Sequence, residues 1–538
     1  MVFARRSTTL LAAIIASCAM VLSLTACTSD NKTVVDGQTT VTSNSAGGVA
    51  VFTPSDGITL NQQMPLNKWA KLVPDLTKAL VDAGFKKGDI NHTTSDSLDK
   101  QSRAIQDFVV DHLSNNTTDD SGIAIAPDNM TLLVAPVVEA DASTRQYGDY
   151  VSQNLSTNDV TDEGATSDGE SSEDDSSNTE SDSTASDEQA QAVDRLVSSL
   201  KLAKESGMHV VLLGNSIEGY KPDAFVKFSD AQTIGKLQAE KMVSKLKLDK
   251  ASKDNPKYIE VLLPYTAMDE KSNANDSTFV QEAFRGIWQV LGSYYQKGVV
   301  ESPSGTLDGK STENDWQAVA YDAAKEGSTA KVLDKRLAKT DGQSTLTRID
   351  GIITMNDYIA SEVVKELDDL GYTGSAADIN PQITISGIVG NITGKKDLSR
   401  DAVPDPIKSP ENDNANDSSS SDDDADKDTS ASDKDRDSQW PLVTGYGAYV
   451  SNIPSIVNGK QWMTGMEDRQ TIATDIAQAC AKLNKDEALN SMPSIRNSEV
   501  GGVKKIPTIN EPLLAVSAGN LKSALIDPGY ISLADAGL

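Results

Sequence analysis

The sequence predicts an α/β protein of two doubly wound parallel-sheet domains, interrupted by two disordered acidic insertions. Three observations predict it. Short continuous apolar runs alternate with amphipathic stretches of helical period, the pattern of a parallel sheet covered by helices on both faces. At 538 residues the chain exceeds what one hydrophobic core organises, and the alternation runs through twice. Acidic residues are concentrated in two stretches almost free of large apolar side chains.

Val49-Ala50-Val51-Phe52 reads as a buried strand, and Trp69 to Ala83 as a helix with Trp69, Leu72, Leu76 and Leu80 on one face. Ser97 to Leu113 is a second helix, Met130 to Val137 a strand, Ala192 to Ser206 a helix and His209 to Leu213 a strand. The pattern then restarts with strands at Phe225 to Phe228, Tyr258 to Leu263 and Ile352 to Met355. Helices at Thr233 to Leu246, Thr278 to Tyr295 and Trp316 to Leu337 separate them, with a further helix at Gln470 to Leu483. Ile383 to Ile385 and Leu442 to Thr444 are additional strand candidates.

The net charge of -30 is unevenly placed. Residues 156–189 hold twelve Asp or Glu and no Lys or Arg, and 409–438 hold eleven acids against three bases. Such segments cannot bury enough surface to offset the entropy of ordering, so both are expected to be disordered. The aspartates from Asp422 to Asp428 lack the turn glycine and terminal glutamate of an EF-hand loop, so calcium is not expected. No clustered basic face is present, which argues against a nucleic-acid partner. His92, His112 and His209 have no metal-ligand spacing, so neither a metal site, a histidine-based catalytic site nor a cofactor is expected. The protein is expected to be a non-enzyme.

Arg5 and Arg6 precede an apolar stretch from Thr8 to Leu24 that ends in Leu24-Thr25-Ala26-Cys27, which resembles the bacterial lipobox. The resemblance implies a signal peptide over 1–26 and lipidation of Cys27, anchoring the chain outside the cytoplasm, on the periplasmic or cell-surface side of the membrane. Residues 27–47 read as a flexible tether. Cys480 is then alone and sits in an apolar helical pattern with Ile472, Ile476 and Leu483, as a small core residue.

The apolar run ending at Met355 stops at Asn356-Asp357, where an amphipathic stretch begins. Ligands of open parallel sheets bind outside the carboxyl ends of the strands. Asp357 is expected to cap the following helix, leaving Asn356 to present a donor and an acceptor outward. A purely local cap-and-turn role for both residues is equally compatible with the spacing.

Seven stretches in order resemble the type I periplasmic sugar-binding proteins of ABC transporters, especially the xylose- and ribose-binding kinds. They are AVFTPSD with NKWAKLVPDLTKALVDAGF, LLVAPV, FSDAQTIGKLQAEKMV, NDWQAVAYDAAKE, IITMNDYIASEVVKELDDLGY, VTGYGAYVSNIPSIVNGKQWMTG and IPTINEPLLAVSAGNLKSALIDPGYIS. The resemblance implies two lobes joined by a three-strand hinge, a ligand between them, and a monomer delivering a sugar to an ABC permease. It implies an N-terminal lobe of 48–155, 190–220 and 461–505, a C-terminal lobe of 221–408 and 439–460, and a closing strand and tail at 506–538. The implied ligand shell is Trp69, Asn215, Asp230, Trp316, Asn356, Tyr446 and Gln461. Asn215-Ser216 and Gly447 depart from the family, which reads Asp-Arg and Asp there. Those departures leave a second expectation, a non-transport surface sensor or interaction lipoprotein with a diverged cleft.

Overall fold

A computed structural model describes residues 46–538 except 56–64, 116–124, 139–145, 150–152, 157–179, 266–274, 339–344 and 377–437. The expected signal peptide, most of the expected tether, residues 157–179 of the first acidic insertion, all of the second but Ser438, and the expected strand at Ile383 to Ile385 lie outside the described residues.

The first lobe is built on a seven-stranded sheet. Its strands are β1 (Gly48–Pro54), β2 (Ile90–Ser95), β3 (Met130–Val134), β5 (His209–Leu213), β7 (Ala224–Lys227), β15 (Ile495–Val500) and β16 (Val503–Asn510), in the spatial order β2-β1-β3-β5-β7-β16-β15. All pairings are parallel except the edge hairpin β15–β16. A two-residue pair, β4 (Asn154–Leu155) with β6 (Ser216–Ile217), stands beside it. Helices α1 (Trp69–Asp82) and α9 (Arg469–Leu483) cover one face, and α2 (Leu98–Asn115) and α3 (Glu180–Glu205) the other. Val49 and Val51 therefore enter one core layer and Ala50 and Phe52 the other, which is why β1 reads as an unbroken apolar run. Cys480 is buried in α9, as its apolar neighbours predict.

The second lobe carries the parallel sheet β10-β8-β12-β13, from β8 (Lys257–Val261), β10 (Val300–Glu301), β12 (Gly351–Ile353) and β13 (Leu442–Val443). The parallel pair β9 (Leu263–Tyr265) and β11 (Ala320–Asp322) continues it past Leu262. Its core joins α4 (Ala231–Leu246), α5 (Asn275–Gln296), α6 (Ser328–Arg336) and α7 (Asp357–Leu370).

The chain crosses between lobes three times: at Phe228–Asp230, through β14 (Met463–Met466), and through β17 (Leu514–Ser517). β14 and β17 pair antiparallel. The hinge is thus two strands and a short loop rather than the three strands expected. After β17 the tail packs with the short helix α8 (Ile453–Val457) and Leu66 in a separate apolar cluster.

Several expectations are corrected. The lobe boundary expected at 221 falls after β7, whose residues pair with β5 inside the first sheet. β16, expected as part of the closing tail, belongs to that sheet too. The single helix expected over Trp316 to Leu337 is a 3₁₀ turn (Asp315–Ala318), then β11, then α6; Gly327, with φ 75°, precedes α6. α3 begins at Glu180, inside the segment expected to be disordered.

Candidate functional site

β12 is followed by Thr354-Met355, and Met355 holds a left-handed conformation at φ 67°. That costs energy for a side-chain-bearing residue and persists only where the surroundings enforce it. Here Gln238 on α4 clamps the backbone, donating to the Met355 carbonyl at 2.8 Å and accepting its N–H at 3.2 Å. The bend delivers Asn356 in an extended conformation, φ -139° and ψ 165°, as the N-cap of α7. Its Oδ1 accepts from the Ile359 N–H at 2.9 Å. Its Nδ2 donates across to Oε1 of Gln146, in the first lobe, at 3.1 Å. The cap is therefore Asn356 and not Asp357, because capping needs the non-helical residue at the start of the turn.

Asp357 does different work. Fully buried, it accepts from Gln461 Nε2 at 2.7 Å, Thr464 Oγ1 at 2.8 Å and the Tyr449 N–H at 2.9 Å. Asn452 Nδ2 donates to the Asp357 carbonyl at 2.7 Å and to Gln461 Oε1 at 2.8 Å. One carboxylate thus ties α7 to the loop after β13 and to β14, at the base of a crossing. Burial pushes it up to about 6, against the pull of its hydrogen-bond donors.

A second buried carboxylate, Glu467, lies at the end of β14. It accepts from the Ser229 N–H at 2.6 Å in the first crossing and from the Tyr446 hydroxyl at 3.4 Å; Ser229 Oγ and Tyr446 also bond each other. Burial raises Glu467 to about 7. Both acids sit above the ordinary carboxyl range, so the folded state holds protons that the unfolded chain releases. Their contribution to stability is present below the unfolded carboxyl values and is lost as pH rises through about 6 and about 7. The melting temperature is expected to fall between pH 5 and pH 8. Glu467→Gln, which keeps an acceptor for Ser229, is expected to flatten that slope, since each tenfold change in proton affinity on folding is worth about 1.4 kcal/mol. An unchanged slope in thermal melts of the variant would contradict the assignment.

The other expected ligand residues are engaged within the protein. Trp69 is 3% exposed, its ring edge-on to Phe228 at 5.7 Å in the first lobe's core. Asn215 donates to the Pro136 carbonyl at 2.8 Å and accepts from the Gln153 N–H at 3.0 Å. Asp230 caps α4 through Thr233 and pairs with Lys227 at 2.9 Å. Burial works to raise its pKa, but the Thr233 bonds and the Lys227 charge hold it below the usual range. Trp316 is half-buried against the second lobe's core on its 3₁₀ turn. Tyr446 and Gln461 belong to the carboxylate networks above. The structure brings Asn356, Tyr446 and Gln461 together at the interlobe junction; Asn215 and Trp316 are tied into their own lobes elsewhere.

Gly447 adopts φ 111°, and a Cβ there would stand 3.0 Å from the Tyr449 ring. That backbone disfavours the aspartate the family pattern reads at this place.

Sequence reasoning missed Asn67, Gln146, Tyr147, Tyr449 and Glu467. Asn67 is 1% exposed and, among the described residues, its Nδ2 has no hydrogen-bond partner, an arrangement that ordinarily costs about 1–3 kcal/mol. The one signal available was its place just before α1, at the carboxyl side of β1.

The described residues thus form two doubly wound α/β lobes joined by three crossings, with polar strand-end residues meeting between the lobes. No family model matches the chain, and no curated protein matches it. Among solved structures it is similar to an ABC transporter solute binding protein from Clostridium phytofermentans with bound β-D-glucose, at 17% identity and TM-score 0.45, over 91% of this chain and 99% of that one. A carbohydrate transporter solute binding protein from Chloroflexus aurantiacus in complex with D-glucose matches at 17% identity and TM-score 0.44, over 92% and 98%. A periplasmic ribose ABC transporter protein from Conexibacter woesei matches at 12% and 0.41, over 90% and 96%.

Among the described residues no helix is long and apolar enough to cross a membrane, and no cluster of three or more His, Cys, Asp or Glu could hold a metal ion.

Proposed function

We propose that the chain is an extracytoplasmic solute-binding lipoprotein that captures a sugar between its lobes and delivers it to an ABC permease. The observation that carries this reading is the composition of the interlobe junction. Asn356 and the Tyr449 hydroxyl offer hydrogen bonds there, beside the rings of Tyr446 and Phe279. Aromatic faces with a few convergent polar groups suit a polar ring. In this reading Asn356 and Tyr446 belong to the ligand shell. Gln461 holds its wall through the Asp357 network, while Trp69, Asn215, Asp230 and Trp316 serve the lobes that carry it through the contacts described above.

Thermal shift against mono- and oligosaccharides tests the proposal. A sugar at a hundredfold excess over its Kd is expected to add about 2.7 kcal/mol of stability. No shift with any sugar would favour a second reading, a surface sensor or interaction lipoprotein. That reading is supported by the engagement of Asn215, Asp230, Asn356, Tyr446 and Gln461 with partners inside the protein.

Anchoring rests on the lipobox-like Leu24-Thr25-Ala26-Cys27. Cys27→Ser is expected to abolish metabolic labelling with a fatty acid and to release the protein from membranes; unchanged labelling would refute the anchor.

A further inference from the structure

Gln146–Asp149 is a first-lobe segment on the carboxyl side of β3, yet Tyr147 belongs to the hydrophobic core of the second lobe. The tyrosine is 1% exposed. Its ring lies 4.9 Å from that of Phe279 and 6.3 Å from that of Tyr446. The crevice around it is walled by Leu263, Pro264, Val280, Ala283 and Met355 and keeps no room for a water molecule. Those walls follow β8 and β12 and include the early turns of α5. This is the carboxyl end of the second sheet, where a parallel sheet holds its ligand.

The contacts made there are of the kinds a sugar would make. The tyrosine ring lies against aromatic rings, the Gln146 side-chain amide accepts from Asn356, and the Gln146 carbonyl accepts from the Tyr449 hydroxyl at 2.7 Å. The segment's other end is fastened to its own lobe. Asp149 accepts from the Trp69 N–H at 3.0 Å, capping α1, and pairs with Lys68 at 2.8 Å. Between the two fastenings Gly148 turns at φ 94°, where a Cβ would stand 2.6 Å from the Asn67 carbonyl oxygen.

We propose that Gln146-Tyr147 is an internal occupant of the interlobe site. It holds the lobes together, and a sugar enters by displacing it. The proposal rests on the sugar-binding reading above for the identity of the competitor, but not for the occupancy itself. Asp149 keeps the displaced segment tethered beside the site, so the occupant returns when the sugar leaves. An occupied site binds its ligand more weakly by the fraction of molecules in which it is free.

The experiment compares the wild-type chain with Tyr147→Ala, and with Gln146→Ala as a milder second variant. Small-angle scattering without sugar and calorimetric titration with the monosaccharide panel are the two readouts. Both variants are expected to show a larger radius of gyration than wild type, and Tyr147→Ala to bind its sugar about tenfold more tightly or better. An unchanged radius of gyration in both variants would overturn the occupant. So would affinities equal to wild type, with the sugar reading left standing. Weaker binding in the variants would make these residues ligand contacts and also overturn it. Expansion of the variants with no sugar bound by any protein would support the occupant and sink the sugar reading alone.

Discussion

At pH 8, above the raised value of Asp357, Asp357→Asn is expected to lower stability by about 3–5 kcal/mol in urea unfolding. Asp357 Oδ1 faces Gln461 Nε2, and Oδ2 faces both the Tyr449 N–H and Thr464 Oγ1. The Tyr449 amide and Gln461 Nε2 can only donate. An asparagine must turn its own NH2 toward one of them, whichever way it is flipped, so two donors are left facing each other in a fully buried site. Relaxation is blocked on the α7 side as well, because the Asp357 N–H is held by the Tyr446 carbonyl at 2.9 Å. Gln461→Glu in the Asp357→Asn background supplies an acceptor opposite the new NH2 and is expected to restore part of the loss. A single-variant loss below about 1 kcal/mol would show that the carboxylate is not the hub of the hinge.

The second large effect lies inside the second lobe. Arg336→Met is expected to cost about 3–5 kcal/mol. Arg336 Nη1 sits 3.4 Å from Glu260 Oε2, with side chains 8% and 0% exposed. Arg336 also donates to the Val261 carbonyl at 2.5 Å and to the Val319 carbonyl at 2.9 Å, joining β8 to the turn before β11. Burial raises Glu260 and lowers Arg336, so for each partner desolvation outweighs the attraction of the other. A pair in that balance adds little when intact but is costly to break, since methionine leaves an uncompensated carboxylate held by the Ser304 N–H at 2.9 Å. Glu260→Gln added to Arg336→Met is expected to recover much of the loss. No recovery in the double variant would mean that the two carbonyl bonds, and not the charge, carry the effect.

The elements legible in the sequence were those whose pattern is local and strong. β1, β3, β5 and β12 are short apolar runs buried on both faces, and α1 shows its buried stripe of Trp69, Leu72, Leu76 and Leu80 at helical spacing. β2 was missed because an edge strand reading INHTTS, exposed through most of its length, has no apolar run. β15, the outer strand of the hairpin with β16, was missed for a related reason: it is mostly exposed, and Gly501-Gly502 at the turn are its strongest local signal. The stretch from Trp316 to Leu337 has helical composition throughout, yet Tyr321 pairs into the sheet and Gly327 breaks the run. Pairing across a sheet overrides propensity there.

By itself the sequence settled that the molecule is an alternating α/β chain and that a polar pair, Asn356-Asp357, falls where β12 gives way to a helix. Both follow from periodicity, which each segment carries within itself. Only the tertiary structure decided that Asn356 is the cap, that Asp357 is the buried fastening of a crossing, and that Tyr147 stands in the second lobe's crevice. A polar group's role depends on which donors and acceptors surround it, and here they come from residues as much as 303 positions apart along the chain. Hydrogen bonding in a dry interior is satisfied by whatever the fold brings near, and no local pattern records that.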